Sequence, residues 1–443
     1  VSSPGKRGGR GGARATMLAL MQRQTKAAYV AAKAGRSGGG SSRCRCWAAH
    51  NQRKQRTPQQ PLPFQTQLIR KQMPSQQLLQ QDRSLAGATT LENVGQTTDS
   101  ANSITITAPD DWHLHLRDGQ VLGDVVPHAA SHYSRAIVMP NLTPPVTTAS
   151  LAAEYEARIA EQIPSGSAFK PLMTLYLTDD TPPEEVHRAK AQGVLAFKLY
   201  PAGATTNSSS GVTDIRKCFA TLRAMEETGT ILLVHGEVVD PAIDIFDRER
   251  VFIETILPVI LDNFPGLRVV MEHITTKHAV NFVREAPDTI GATVTPQHML
   301  LNRNALLVGG IKPHFYCLPI LKREEHRRAI VEAVTTGDSH FFLGTDSAPH
   351  PRGAKESACG CAGIYSSPVA MPIYAQIFEE AGRLDQFEKF ASINGAKFYG
   401  LPRNARTVTL VKEDWEVPAT YRFGDDVVVP ICAGATLPWK LVQ

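Results

Sequence analysis

Eight short apolar runs separated by helical stretches, all between residues 104 and 346, constrain this chain more than any other feature. The runs are Ile104–Leu116, Ala136–Asn141, Pro171–Leu177, Val194–Tyr200, Ile231–His235, Leu267–His273, Gly291–His298 and His340–Asp346. Most are rich in Val, Ile, Leu, Phe or Thr, the pattern of strands covered on both faces. Helix signals lie between them. Thr181-Pro182-Pro183-Glu184 reads as a capping box with proline in the first turn. Thr213, Asp247 and Thr275 read as N-caps of the next three helices. Eightfold β/α alternation predicts an α/β protein, a (β/α)8 TIM barrel, over residues 101–403. A doubly wound open sheet is the alternative. No tandem repeat is visible beyond that alternation.

The flanks differ from the barrel in composition. Residues 1–100 carry 16 Lys and Arg against 3 Asp and Glu, and the first acidic residue is Asp82. The whole chain holds 47 basic and 42 acidic residues, which leaves 31 basic and 39 acidic ones in the body. An acid-free leader rich in Arg, Ser, Ala, Gly and Gln predicts an organellar transit peptide, disordered, with Gln59 to Gln81 as a linker. The first methionine is Met17, so translation starting there is one expectation. The R-G-G run at Arg7 to Gly12 invites an RNA-binding reading, but the mildly acidic body offers no supporting surface. The body therefore predicts no nucleic-acid partner, and the lack of any 18-residue apolar stretch predicts no membrane span. Residues 404–443 carry short strand-like pieces and read as a C-terminal appendage of the barrel. The seven cysteines, Cys44, Cys46, Cys218, Cys317, Cys359, Cys361 and Cys432, form no disulfide framework, which fits a reducing compartment. Cys359 and Cys361 make a C-x-C that lacks a second pair and reads as loop structure.

Barrel enzymes do their chemistry at the C-terminal ends of strands, and the ends here are polar. His113 and His115 end the first run, in D-W-H-L-H-L-R-D from Asp111. Side chains at i and i+2 of a strand share a face, so the two imidazoles stand together and Arg117 continues the row. Asn141, Lys198, His235, His273 and Asp346 close later runs. Singly, a strand-end histidine is a satisfied core group and a strand-end aspartate a helix cap. Seven in one position argue for a site. Four histidines and an aspartate suit Zn²⁺. Five ligands exceed what one catalytic zinc takes, which points to two metals. Two cations need a bridging anion, and Lys198 stands where it belongs. A neutral amine that takes up CO₂ becomes a carbamate, N6-carboxylysine, with two oxygens. The alternative pairs Lys198 with an acidic neighbour.

The chain resembles the dihydroorotases of the bacterial and plant type, within the amidohydrolase superfamily. The matching segments are D-W-H-L-H-L-R-D from Asp111, M-P-N-L from Met139, F-K-L-Y-P from Phe197, V-H-G-E from Val234 and E-H-I-T-T-K from Glu272. N-R-N from Asn302, K-P-H-F-Y-C-L-P-I-L-K from Lys312, G-T-D-S-A-P-H from Gly344 and K-E-S-A-C-G-C-A-G from Lys355 complete the set. The match covers roughly residues 103 to 443. It implies reversible cyclisation of N-carbamoyl-L-aspartate to L-dihydroorotate plus water in pyrimidine biosynthesis. It implies two zinc ions, one held by His113, His115, carbamylated Lys198 and Asp346, the other by Lys198, His235 and His273. Asp346 would also be the catalytic acid–base. Arg117, Asn141 and His350 would bind the substrate carboxylate, and backbone groups at Leu318 and Ala362 the pyrimidine edge. Thr205 and Thr206, on a loop closing over the site, would touch ligand. The resemblance further implies a homodimer and a plastid address, with the mitochondrion as alternative.

Two other functions compete. A dihydropyrimidinase or hydantoinase shares the metal ligands but takes a ring without the carboxylate, which leaves Arg117, Asn141 and His350 unexplained. A catalytically inactive barrel scaffold would have lost ligands, and none is lost.

Overall fold

The computed structural model describes residues 102–442. The leader, with its transit-peptide and RNA-binding readings, lies outside them. Eight parallel strands follow one another in chain order: β2 (Asp110–Leu114), β3 (Arg135–Val138), β4 (Lys170–Leu177), β5 (Ala196–Leu199), β6 (Ile231–Val234), β7 (Val269–Met271), β8 (Ile290–Val294) and β9 (Phe341–Leu343). The sheet closes at its seam just beyond the ends of β2 and β9. There Leu114 bridges Ser347, His115 N–H donates to the Ser347 carbonyl at 3.1 Å, and Asp346 N–H donates to the His113 carbonyl at 2.9 Å. This is the predicted TIM barrel, and the open-sheet alternative falls.

The first run is two strands, not one. β1 (Ser103–Thr107) leaves the barrel and pairs antiparallel with β10 (Thr407–Val411), which pairs in turn with Lys440–Val442. Ala108-Pro109 makes the break, and Pro109 has no N–H to continue a ladder. Burial separates the halves: β1 alternates half-buried and buried residues, whereas β2 is buried throughout. The C-terminal piece thus supplies two strands of a three-stranded sheet whose third strand precedes the barrel.

β4 ends at Leu177 as predicted, and the other strands stop one to four residues before their predicted ends. Asn141, His235, His273 and Asp346 therefore stand on the loops just past their strands, and His298 lies in the helix Pro296–Leu300. Three of the four predicted helix caps also move. Thr181 accepts from Thr178 N–H, and the helix Pro183–Ala191 starts without a side-chain cap. Asp214, not Thr213, caps the single turn Ile215–Cys218. Thr276, not Thr275, caps Lys277–Glu285, because the Thr275 hydroxyl is spent on Glu249. Asp247 does stand at the N-cap of Arg248–Thr255, with no side-chain bond. Among the described residues, no helix is long and apolar enough to cross a membrane.

The floor of the barrel, opposite the site, is aromatic. Trp112, fully buried on β2, stacks on Tyr399 with ring centroids 4.3 Å apart and meets the edge of Phe342. Tyr399 and Gly395 come from the helix Asn394–Tyr399, which plugs the floor. A Cβ at Gly395 would lie 2.0 Å from the indole nitrogen, and the stack leaves Trp112 nowhere to move. Gly395→Ala should therefore cost about 1–3 kcal/mol, as overpacked cores do. The check is the urea midpoint, and an unchanged midpoint would mean that the helix slides away at no cost.

Candidate metal centre

Just beyond the C-terminal ends of the strands, His113, His115 and Asp346 turn ligand atoms toward one point. The Nε2 atoms of the two histidines are 3.3 Å apart, and Asp346 Oδ1 lies 3.4 Å from that of His113 and 3.0 Å from that of His115. A tetrahedral zinc with bonds of about 2.0–2.1 Å needs ligand atoms about 3.3 Å apart. The three atoms therefore have the spacing of one face of a tetrahedral metal site.

Each ring is oriented by its other nitrogen. His113 Nδ1–H donates to Glu272 Oε2 at 2.6 Å, and His115 Nδ1–H donates to Asn141 Oδ1 at 2.9 Å. His235 Nε2–H donates to Glu237 Oε2 at 2.9 Å. These bonds fix tautomers that leave a lone pair on His113 Nε2, His115 Nε2 and His235 Nδ1, as metal-binding histidines require. Glu272 is itself held by the Thr293 hydroxyl at 2.6 Å.

His273 packs against both neighbours, its ring centroid 5.0 Å from that of His113 and 4.8 Å from that of His235. Lys198 rises from β5 into the same region, wholly buried, and among the described residues its Nζ has neither ion pair nor hydrogen bond. Glu272 and Asp346 act on Lys198 through space, but neither makes a direct ion pair with it among the described residues. A buried cation with no direct ion pair, only the Tyr200 ring 5.2 Å away, is expensive.

Electrostatics favour the neutral, ligand forms of the histidines and the neutral amine of Lys198, while burial works against the Asp346 carboxylate. Burial pulls His113 below the usual histidine range. Burial, reinforced by Arg117 at His115 and by Lys198 at His273, holds those two well below it. Burial likewise brings Lys198 down to about 8 and raises Asp346 above the usual carboxylate range. Burial alone would raise Glu272 too, but His113 and Lys198 pull it down, so it stays an anion beneath the centre.

A small cavity opens over these groups. Arg117, Asn141, Thr205, Thr206, Leu318 and Ala362 line it, together with His113, His115, His235, His273 and Asp346. Of the predicted residues, Lys198 lies beneath this lining and His350 behind it. His350 Nε2 is 3.0 Å from both Arg117 Nη2 and the Ala362 carbonyl. Burial and the Arg117 charge hold His350 down to about 2, so its ring is neutral. Arg117 Nε donates to the Pro349 carbonyl, which fixes the guanidinium and leaves other donors for an anion. Asn141 Nδ2 donates to the Thr206 carbonyl, and the Thr206 hydroxyl donates to that of Ala362, so the loop is held over the cavity.

Three features escape the sequence. Arg117, His273 and Asp346 have φ of 62°, 40° and 45°, a left-handed backbone that side-chain-bearing residues seldom adopt outside functional sites. Tyr200 lines the cavity. The orienting carboxylates Glu237 and Glu272 lie inside the matching motifs, where sequence alone assigns them no role. Their position, one or two residues from a ligand histidine, is the available signal.

The amidohydrolase family model matches residues 106–409. The chain is 62% identical over 342 residues to a dihydroorotase of Laribacter hongkongensis, covering 77% of this chain and 99% of that one. It is 60% identical over 338 residues to a dihydroorotase of Cupriavidus metallidurans, covering 76% and 98%. Among solved structures it resembles a dihydroorotase from Campylobacter jejuni (TM-score 0.72, 35% identity, 78% and 99% covered). It also resembles a dihydroorotase from Saccharomyces cerevisiae in complex with 5-fluoroorotic acid (TM-score 0.72, 31% identity, 77% and 99% covered). An L-hydantoinase from Arthrobacter aurescens shares only the fold, at 16% identity.

Proposed function

The chain belongs to the amidohydrolase family and carries out the dihydroorotase reaction, and we propose that it does so with two zinc ions bridged by carbamylated Lys198. The reaction is the reversible ring closure of N-carbamoyl-L-aspartate to L-dihydroorotate plus water. One observation carries the metal reading: His113 Nε2, His115 Nε2 and Asp346 Oδ1 lie a tetrahedral edge apart, beside a fixed guanidinium. His113, His115, Lys198 and Asp346 would hold one ion, and Lys198, His235 and His273 the other. Bound there, the metals would lower the pKa of a shared water toward neutrality and polarise the ring carbonyl.

The remaining work falls to the protein. Arg117 grips the substrate carboxylate through guanidinium donors not spent on Pro349, with His350 and Asn141 beside it. Leu318 and Ala362 present backbone groups to the ring edge, and the loop bearing Thr205 and Thr206 covers the ligand. In the hydrolytic direction, the Asp346 carboxylate takes the proton released by the attacking water and returns it to the departing ring nitrogen. Closure runs these steps in reverse.

Metal analysis and L-dihydroorotate hydrolysis on one sample test this proposal. About two zinc per chain with turnover is the expected result. Two zinc with turnover of dihydrouracil alone would favour the hydantoinase reading, and absence of zinc would sink the metal assignment. Arg117→Met should raise KM about 10- to 100-fold with a smaller change in kcat, because a charge-assisted contact to a carboxylate is lost. An unchanged KM would exclude the clamp.

A homodimer and a plastid address are proposed as well. The first is supported by the family resemblance; an organellar address is supported by the leader, free of acidic residues before Asp82, and the plastid over the mitochondrion by the plant-type resemblance. Microscopy of the leader fused to a fluorescent protein distinguishes the two organelles.

A further inference from the structure

The K-E-S-A-C-G-C-A-G segment matches the family, yet the reaction as derived makes no use of its lysine. Lys355 ends the short helix Arg352–Lys355 and is 3% exposed. Its Nζ donates to three main-chain carbonyls: Tyr316 at 2.7 Å, Cys361 at 2.8 Å and Gly363 at 2.7 Å. An ammonium has three donors, so the group is saturated. No carboxylate is among its partners. Lysines are rarely buried so deeply without a counter-charge, so this one is kept for what its hydrogen bonds hold.

The three carbonyls flank two substrate-facing positions. Tyr316 is two residues before Leu318, and Cys361 and Gly363 bracket Ala362. Leu318 and Ala362 both line the cavity beside Arg117. Gly363 N–H donates to the Tyr316 carbonyl at 3.0 Å, so the two segments already touch at one point. The 361–363 stretch has an unusual backbone. Cys361 has φ 26°, and at Gly363, with φ 153°, a Cβ would lie 2.6 Å from the Ala348 carbonyl oxygen. A chain in that shape needs an outside tie to keep it.

We infer that Lys355 is a positioning residue for the substrate: its ammonium clamps the segments bearing Leu318 and Ala362 together, so that their backbone groups meet the bound ring at a fixed separation. Lys355 is not among the cavity-lining residues and bonds to no metal ligand; it acts through the main chain of its neighbours. The clamp passes through the C-x-C by its backbone alone. Cys361 contributes its main-chain carbonyl, while its Sγ forms no disulfide and meets that of Cys359 at 3.9 Å in a thiol hydrogen bond. The inference rests on the dihydroorotase reading. Wild-type turnover reports on that reading, and the variant-to-wild-type ratio reports on the clamp.

The test uses the full zinc-loaded chain, its Lys355→Met and Lys355→Arg variants, and L-dihydroorotate as substrate. Lys355→Met should raise KM at least about tenfold, change kcat less than about threefold and leave zinc content unchanged, because misplacing ring contacts weakens binding before it touches the chemistry. A KM within about twofold of wild type would overturn the clamp. So would a fall in kcat accompanied by loss of zinc, which would place Lys355 in support of the metal centre instead. Should the methionine variant not fold, Lys355→Arg decides. Its planar fork cannot aim three donors from one nitrogen, so KM should rise at least about threefold, and a wild-type KM in the folded arginine variant overturns the proposal.

Discussion

Asp346→Asn is expected to lower kcat at least about a thousandfold, within the range that positioned acid–base groups contribute, while substrate binding stays within about threefold of wild type. The backbone should survive the change. Asp346 has φ 45°, a conformation in which asparagine is among the best-tolerated residues, and its N–H bond to the His113 carbonyl is untouched. Arg117, which holds the substrate carboxylate, does not bond to Asp346, so affinity has no reason to fall with turnover. An amide oxygen at Oδ1 can still face His113 and His115, so at least one metal should remain bound. What the amide cannot do is take a proton and return it to the ring nitrogen. Steady-state kinetics with metal analysis on the same sample checks this. Turnover within about tenfold of wild type would remove Asp346 from the proton path.

The sequence shows where the chemistry stands but not how the backbone gets there. Strand ends are legible because a run of Val, Ile and Leu that stops at a histidine or an aspartate changes character within one residue. His113, His115, Lys198, His235, His273 and Asp346 are all legible in that way and converge. The path of the chain beyond a strand end is not legible. No local pattern announces that His273 and Asp346 take a left-handed turn, because the hydrogen bonds that hold them come from residues far along the chain: the Thr293 hydroxyl to His273 N–H, and the His113 carbonyl to Asp346 N–H. The split at Pro109 escapes because Ser103–Thr107 and Asp110–Leu114 are separated only by Ala108-Pro109 and together pass for one strand. The partner of the first half lies some 300 residues away, a pairing that periodicity cannot reveal. The helix caps slip for a related reason. Thr213 and Thr275 have good capping side chains, but the acids Asp179 and Glu249 claim their hydroxyls, leaving the next residue to cap.

The orienting carboxylates escape notice because a glutamate beside a histidine is commonplace in sequence. Glu272 acquires its role only when β7 and β2 come together in the barrel and His113 Nδ1 arrives 2.6 Å from it. The bond fixes which nitrogen of His113 faces the metal. A buried anion there would also lower the cost of bringing metal cations into the site. Lys198, by contrast, has no carboxylate bonded to its amine among the described residues.

Lys198→Met should abolish turnover and yet leave the metal-free protein more stable than wild type at neutral pH. Methionine is about as long as lysine and fills the same space without a charge. In the metal-free fold the Lys198 amine is fully buried, and burial brings it down to about 8 from an ordinary 10.5. Below about pH 8 both folded and unfolded chains carry the proton, and the folded one bears the full penalty, about 3 kcal/mol. Between about 8 and 10.5 the unfolded chain binds the proton and the folded chain does not, so wild-type stability rises with pH through that window. The methionine variant has no such group. Its advantage should be greatest at pH 7 and should close as pH approaches 10.5. Urea midpoints of the two metal-free proteins from pH 7 to 10 measure the gap. If the variant were less stable at pH 7 by an amount independent of pH, Lys198 would be a structural residue and the carbamate reading would fall. Activity should move the other way. Without the amine there is no carbamate to bridge two cations, so zinc content should fall to about one per chain or less and turnover should drop at least about a thousandfold. A stabilising change that destroys function is the expected mark of a lysine kept for the metals and not for the fold.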